Sequence, residues 1–123
     1  MVKLIRALAK TLWLVTVVTR LLQKSIRMYN HIVRFEWDDE KANSNEGEHS
    51  ISFIEAATVF DDNLAVALPD PDHSIDEFRF LLLGESSSRR LLVVSYTERD
   101  DVIRIISARS PTRKEPQDYE NSQ

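Results

Sequence analysis

The chain of 123 residues contains no cysteine, so neither a disulfide framework nor a thiolate metal site is open to it. Its three histidines, His31, His49 and His73, stand far apart without paired spacing, which argues against zinc. Long apolar runs are also missing: TLWLVTVVT, residues 11–19, is bounded by Lys10 and Arg20 and falls well short of the roughly 20 residues a membrane-crossing helix needs. No small-residue cleavage pattern follows that run, so a secretory leader is not expected. These absences leave a cytoplasmic protein without metal or cofactor as the expectation.

Acid is absent from residues 1–28, which carry Lys3, Arg6, Lys10, Arg20, Lys24 and Arg27. The remaining chain holds 10 basic against 20 acidic groups, a net charge of −10 within an overall −4. Net charge therefore draws no polyanion to it. Binding one takes a local set of arginines that outweighs the carboxylates within a Debye length of about 8 Å. As a helix, the first segment puts its basic residues on one stripe and Leu4, Leu8, Leu12, Val15 and Leu22 on another. It reads as a basic amphipathic extension over 1–28, either resting on a partner or membrane surface or forming a loosely docked arm. A self-sufficient domain over 29–123 follows it. With 42% hydrophobic and 29% charged residues, the chain has material for one compact core.

The pattern from Tyr29 onward is α+β. HIVRFEW reads as a strand, and Asp38 or Asp39 caps a helix over DDEKANSN that Gly47 ends. Ser52 caps a second helix, with Glu55 three residues on completing a capping box, and Asp61, Asp62 and Asn63 stop it. Four strands are expected at 64–68, 77–84, 91–98 and 102–109, the last three joined by short polar turns as an antiparallel meander. Pro111 is placed to open a terminal helix and Pro116 to interrupt it.

Arginine is the residue type that stands out on the strands. Phe78 and Phe80 point one way and Arg79 the other, while Arg99 directly follows the third of the four strands. Strict alternation sends Arg104 and Arg109 to opposite faces, and only a bulge or a strand end brings both to one rim. Exposed strand positions need charges, and Glu98, Asp100 and Asp101 are at hand to pair with them. Several guanidinium groups on one face, by contrast, make a phosphate site, because each presents planar donors matched to phosphate oxygens. His73, beside Asp70, Asp72 and Asp76, is read as holding its loop together by hydrogen bonds. Lys41 faces solvent, and Lys114 and Tyr119 reach substrate only if the tail folds over the sheet.

The ordered run FEWDDEKANSNEGEHSISFIEAATVFDD, then DPDHSIDEFRFLLLG, then RLLVVSYTERDDVIRIISAR resembles the BrnT toxin family of bacterial type II toxin-antitoxin systems, over about residues 33–120. That resemblance implies a RelE-like fold, a small antiparallel sheet flanked by helices. It also implies a metal-independent ribonuclease that inhibits translation and is neutralised by a BrnA-type antitoxin. RNA is then the substrate, DNA is reached only through the antitoxin, and a higher-order toxin–antitoxin complex is a further expectation. Cleavage without metal uses the RNA's own 2′-hydroxyl, so Arg79, Arg99, Arg104 and Arg109 are candidates for holding the phosphate and stabilising its added charge, with His49 as acid or base. The family's usual Lys-His-Gly is Glu48-His49-Ser50 here, and Pro111 and Pro116 alter the tail. Those departures support an alternative, a noncatalytic module that binds an antitoxin without cutting RNA.

Overall fold

The structure, a computed structural model, describes residues 14–20 and 33–123. The chain divides into two units, residues 1–33 and 34–123. In the first, residues 14–20 are helical (α1), with Leu14, Val15 and Val18 exposed. Most of the expected basic and leucine stripes lie outside the described residues.

The second unit is α+β, as expected. It runs β1 (Arg34–Glu36), α2 (Asp39–His49), α3 (Phe53–Thr58), β2 (Val66–Pro69), β3 (Phe80–Glu85), β4 (Leu91–Arg99), β5 (Val102–Arg109) and α4 (Glu115–Asn121). The sheet order is β1-β5-β4-β3-β2. Strands β2 to β5 form an antiparallel meander, and β1 adds to β5 in parallel, so the sheet is mixed at that edge. Both helices and strands β2 to β4 lie between β1 and its parallel partner β5, far more chain than a parallel return requires.

Local signals explain most boundaries. Asp38 accepts the Lys41 amide at 3.0 Å and starts α2. Gly47 does not end that helix; the turn continues to His49, and Ser50 takes the left-handed conformation (φ 55°) with its amide on the Glu46 carbonyl. The N-cap and the internal anchor Asn45 together offset the cost of an internal glycine, about 1 kcal/mol. Ser52 caps α3 through the Glu55 amide, but only half of the capping box forms. The Glu55 carboxylate instead takes bonds from the Arg90 guanidinium and the Ser86 hydroxyl, because a charge-assisted bond is stronger than one from a neutral amide. Pro116 lies in the first turn of α4, where a missing amide hydrogen costs nothing, so it interrupts no helix; Pro111 lies outside α4.

One sheet face carries most of the core, and Leu83 and Val93 are buried on the other. Phe35, Phe80, Leu82, Leu92, Val94, Tyr96, Ile103, Ile105 and Ala108 share the main core face by register, and Ile51, Phe53, Ala56, Val59 and Phe60 are buried with them. Phe60 meets Tyr96 and Phe35 edge-on at 4.9 and 5.3 Å between ring centres. Asn45 is the buried polar pivot of this layer. Its Nδ2 donates to the Ile51 carbonyl at 3.1 Å, and its Oδ1 accepts from the Ala108 amide at 3.0 Å. Strand β1 pairs with β5 only as far as Arg104, so beyond that point Asn45 supplies the partner an adjacent strand no longer does. At Gly84 a Cβ would stand 2.8 Å from Ala65 Cβ and 2.9 Å from Val59 Cγ1, which is why a strand position otherwise suited to a β-branched residue holds glycine.

Candidate nucleic-acid interface

Register decides where the arginines go. Ser95 pairs with Ser107 and Tyr96 with Ile105, so Ile106 is an additional residue in β5, a bulge. Thr97 faces Arg104, and Val93 faces Arg109, which puts both arginines on the side of the odd-numbered residues of β4. Strict alternation fails for this pair, and the bulge is the reason. Arg99 is on the same side, and so is Arg79, which immediately precedes β3 and whose carbonyl continues the β2–β3 ladder by accepting from Asp70 N–H at 3.0 Å. Glu36 and Arg34 of β1 join that face through their register with Arg104 and Val102.

Three of the four arginines converge. Glu77 accepts from Arg99 Nη2 at 2.7 Å, and Arg104 Nη1 is 3.3 Å from Glu36 Oε1. The Glu77 carboxyl is held below its ordinary range chiefly by the Arg99 hydrogen bond, opposed by partial burial, with the charges of Arg99, Arg79 and Arg104 adding to the depression. Arg99 also feels Glu36. Within electrostatic reach of one another are therefore three guanidiniums and two carboxylates. Side by side in this group, the Nε of Arg79 and the Oγ1 of Thr97 are buried without hydrogen-bond partners. Thr97 is 1% exposed. Buried polar atoms without partners are costly, and these two share one face of the sheet.

A cavity of about 450 Å³ adjoins the group, lined by Asp72, His73, Ile75, Asp76 and Glu77 of the β2–β3 connection together with Arg79 and Arg99. His73 holds the loop as expected: its Nδ1 lies 2.9 and 3.0 Å from the two carboxylate oxygens of Asp70. Ser74 completes the anchorage, donating to the Asp70 carbonyl and accepting from the Arg79 amide.

Two expected site residues lie elsewhere. Arg109 is about 15 Å along β5 from Arg104 at the usual rise per residue, and its guanidinium is paired with Glu115 at 2.8 and 3.1 Å, which pulls the Glu115 carboxyl down to about 2. His49 ends α2, exposed, 3.8 Å from Glu48. The neighbouring Ser50 carbonyl accepts from Arg90, just before the start of β4, whereas Arg99 is the last residue of that strand. Helix geometry thus places His49 toward the opposite end of the sheet from Arg79, Arg99 and Arg104. Lys41 is exposed, and Tyr119 donates to Asp62 at 2.9 Å rather than reaching the arginine group. Sequence reasoning passed over Thr97, whose hydroxyl gains meaning only from its neighbours across the sheet.

Among the described residues no group of three or more histidine, aspartate or glutamate side chains could hold a metal ion, and no helix is long and apolar enough to cross a membrane.

A mixed five-stranded sheet, with α2 and α3 packed against β5 and three guanidiniums gathered on one face, defines a small α+β domain. The family model described as the ribonuclease toxin, BrnT, of type II toxin-antitoxin systems matches residues 37–115, and the chain belongs to that family. Its fold is similar to the 1.1 Å crystal structure of the Brucella abortus ribonuclease toxin BrnT, with a TM-score of 0.53 at 20% identity, covering 67% of this chain and 100% of that one. No curated protein matches the sequence.

Proposed function

We propose that this chain is the toxin of a type II toxin-antitoxin pair, a cytoplasmic, metal-independent endoribonuclease that arrests translation until a BrnA-type antitoxin covers it. The observation that carries this reading is the gathering of the Arg79, Arg99 and Arg104 guanidiniums around Glu77 on one face at one end of the sheet. The guanidiniums bind phosphate oxygens and stabilise the extra negative charge that forms when a 2′-oxygen attacks phosphorus. Glu77 and Glu36 act as resident counterions that the RNA backbone displaces. Such partly exposed pairs contribute little to stability, so the exchange is cheap. Arg109 and His49, at a distance from this group, serve the tail and the α2 terminus. The domain begins at residue 29, with 1–28 as an extension.

Expression of the full chain without its partner tests the proposal. The expected outcome is growth arrest with fragmented RNA, relieved when Arg79, Arg99 and Arg104 are changed together to alanine. Normal growth with intact RNA at high soluble expression would refute it. A second reading, a binding module that no longer cuts, is favoured by the carboxylates on Arg99 and Arg104 and by Glu48 and Ser50 at the end of α2. Stable capture of a small antitoxin with no RNA turnover would establish that alternative. A chain beginning at Met28 that keeps full activity would confirm the domain boundary.

A further inference from the structure

Cleavage of RNA by its own 2′-hydroxyl needs a group that takes a proton, and none of the three arginines can do so, because guanidinium stays protonated. We infer that His73, oriented by Asp70, is that group; the inference rests on the ribonuclease reading above. Both Asp70 carboxylate oxygens lie within 3.0 Å of His73 Nδ1, a geometry that fixes the proton on Nδ1 and leaves the lone pair on Nε2. The ring lines the same cavity as Arg79 and Arg99, so the base and the phosphate clamp open onto one space. Asp70 is itself held, through its backbone amide on the Arg79 carbonyl and its own carbonyl on Ser74 Oγ. The dyad is thereby tied to the residue that carries the clamp.

The step balances without a further reagent than water. Nε2 removes the proton of the 2′-hydroxyl, the 2′-oxygen bonds to phosphorus, and the bond from phosphorus to the 5′-oxygen breaks with its electron pair. The 5′-oxygen takes a proton from water, leaving a 2′,3′-cyclic phosphate and a 5′-hydroxyl, and the imidazolium returns its proton to solvent. Asp70 stabilises that imidazolium and acts as a positioning residue. The groups that face the ring across the cavity are Asp72, Asp76, Glu77, Arg79 and Arg99, with Asp70 behind it.

The test compares the full-length wild type with H73Q and D70N on single-stranded RNA, following turnover across pH, the product ends and binding to a 2′-deoxy oligonucleotide that cannot be cut. The His73 side chain is 65% exposed, so H73Q leaves the fold intact, a point that circular dichroism checks. H73Q is expected to lower kcat on the order of 100-fold or more and to abolish the acidic limb of the pH profile, while oligonucleotide binding stays within about twofold. D70N, by freeing the ring from the carboxylate that orients it, is expected to lower kcat about tenfold while oligonucleotide binding stays within about twofold. Wild-type turnover by H73Q, or an acidic limb that survives in H73Q, would overturn the assignment while leaving the nuclease standing. A wild type that binds the oligonucleotide but leaves RNA intact would overturn the nuclease and this inference together.

Discussion

Replacing Asn45 with alanine is expected to cost far more than the loss of one small polar side chain implies. Asn45 is 7% exposed and satisfies two backbone groups from different parts of the chain, the Ile51 carbonyl and the Ala108 amide. Truncation leaves both without a partner, and a buried group so abandoned costs about 1–3 kcal/mol, giving roughly 2–5 kcal/mol in all. For a domain of this size that is a fall of about 10 °C or more in Tm. Asn45→Asp refines the reasoning: one oxygen still accepts from Ala108, but the other now opposes the Ile51 carbonyl, which raises the carboxyl's pKa in the folded state. Its deficit is therefore full at neutral pH and shrinks as the pH falls through that raised value, when an O–H donor returns. Urea denaturation at several pH values measures both. An Asn45→Ala variant within about 0.5 kcal/mol of the wild type, or an Asn45→Asp deficit that does not change with pH, would refute the pivot role.

Gly84→Ala forces a methyl against Ala65 and Val59 in the core and is expected to destabilise by about 1–3 kcal/mol, seen as a lower urea midpoint; an unchanged midpoint would mean that the β2 side of the sheet yields freely. Glu115, held down to about 2 from 4.5 mainly by Arg109, contributes stability that is fully present above pH 4.5 and disappears as the pH falls toward 2. With solvent screening at the Arg109 end, that contribution is about 1–2 kcal/mol, so the Tm gap between wild type and Glu115→Gln should close over this window; a constant gap would contradict it. Glu77→Gln releases Arg99 and should tighten RNA binding about threefold at low salt, with the gain fading toward 1 M salt; weaker binding would show that Glu77 positions Arg99 rather than competing for it.

Much of the fold was legible because it is written in local patterns. The last strand, VIRIISAR, lies between a two-aspartate turn and Ser110-Pro111, and its bounds match the expectation, as do the caps at Asp38 and Ser52. What escaped depends on partners distant in sequence. Nothing in DDEKANSN sets Asn45 apart from its polar neighbours, since its role comes from an amide 63 positions away. The parallel pairing of β1 and the Ile106 bulge are likewise properties of register, and an alternating sequence fits a bulged ladder as well as a regular one. The candidate site divides in the same way. Arginine-rich strand ends were visible as residues, but that Arg79, Arg99 and Arg104 gather while Arg109 serves the tail follows from strand order. His49 drew notice by its chemistry, and the place where α2 ends puts it elsewhere.

The bulge at Ile106 works as a phase shift within the final strand. Were the bulge straightened into a regular ladder with no residue lost, everything after it would rotate by half a turn: Ala108 would leave the aromatic layer, and Arg109 would turn into it opposite Leu92, out of reach of Glu115. The docking of the C-terminal helix is thus set by where β5 absorbs its extra residue, not by the plain alternation of its side chains.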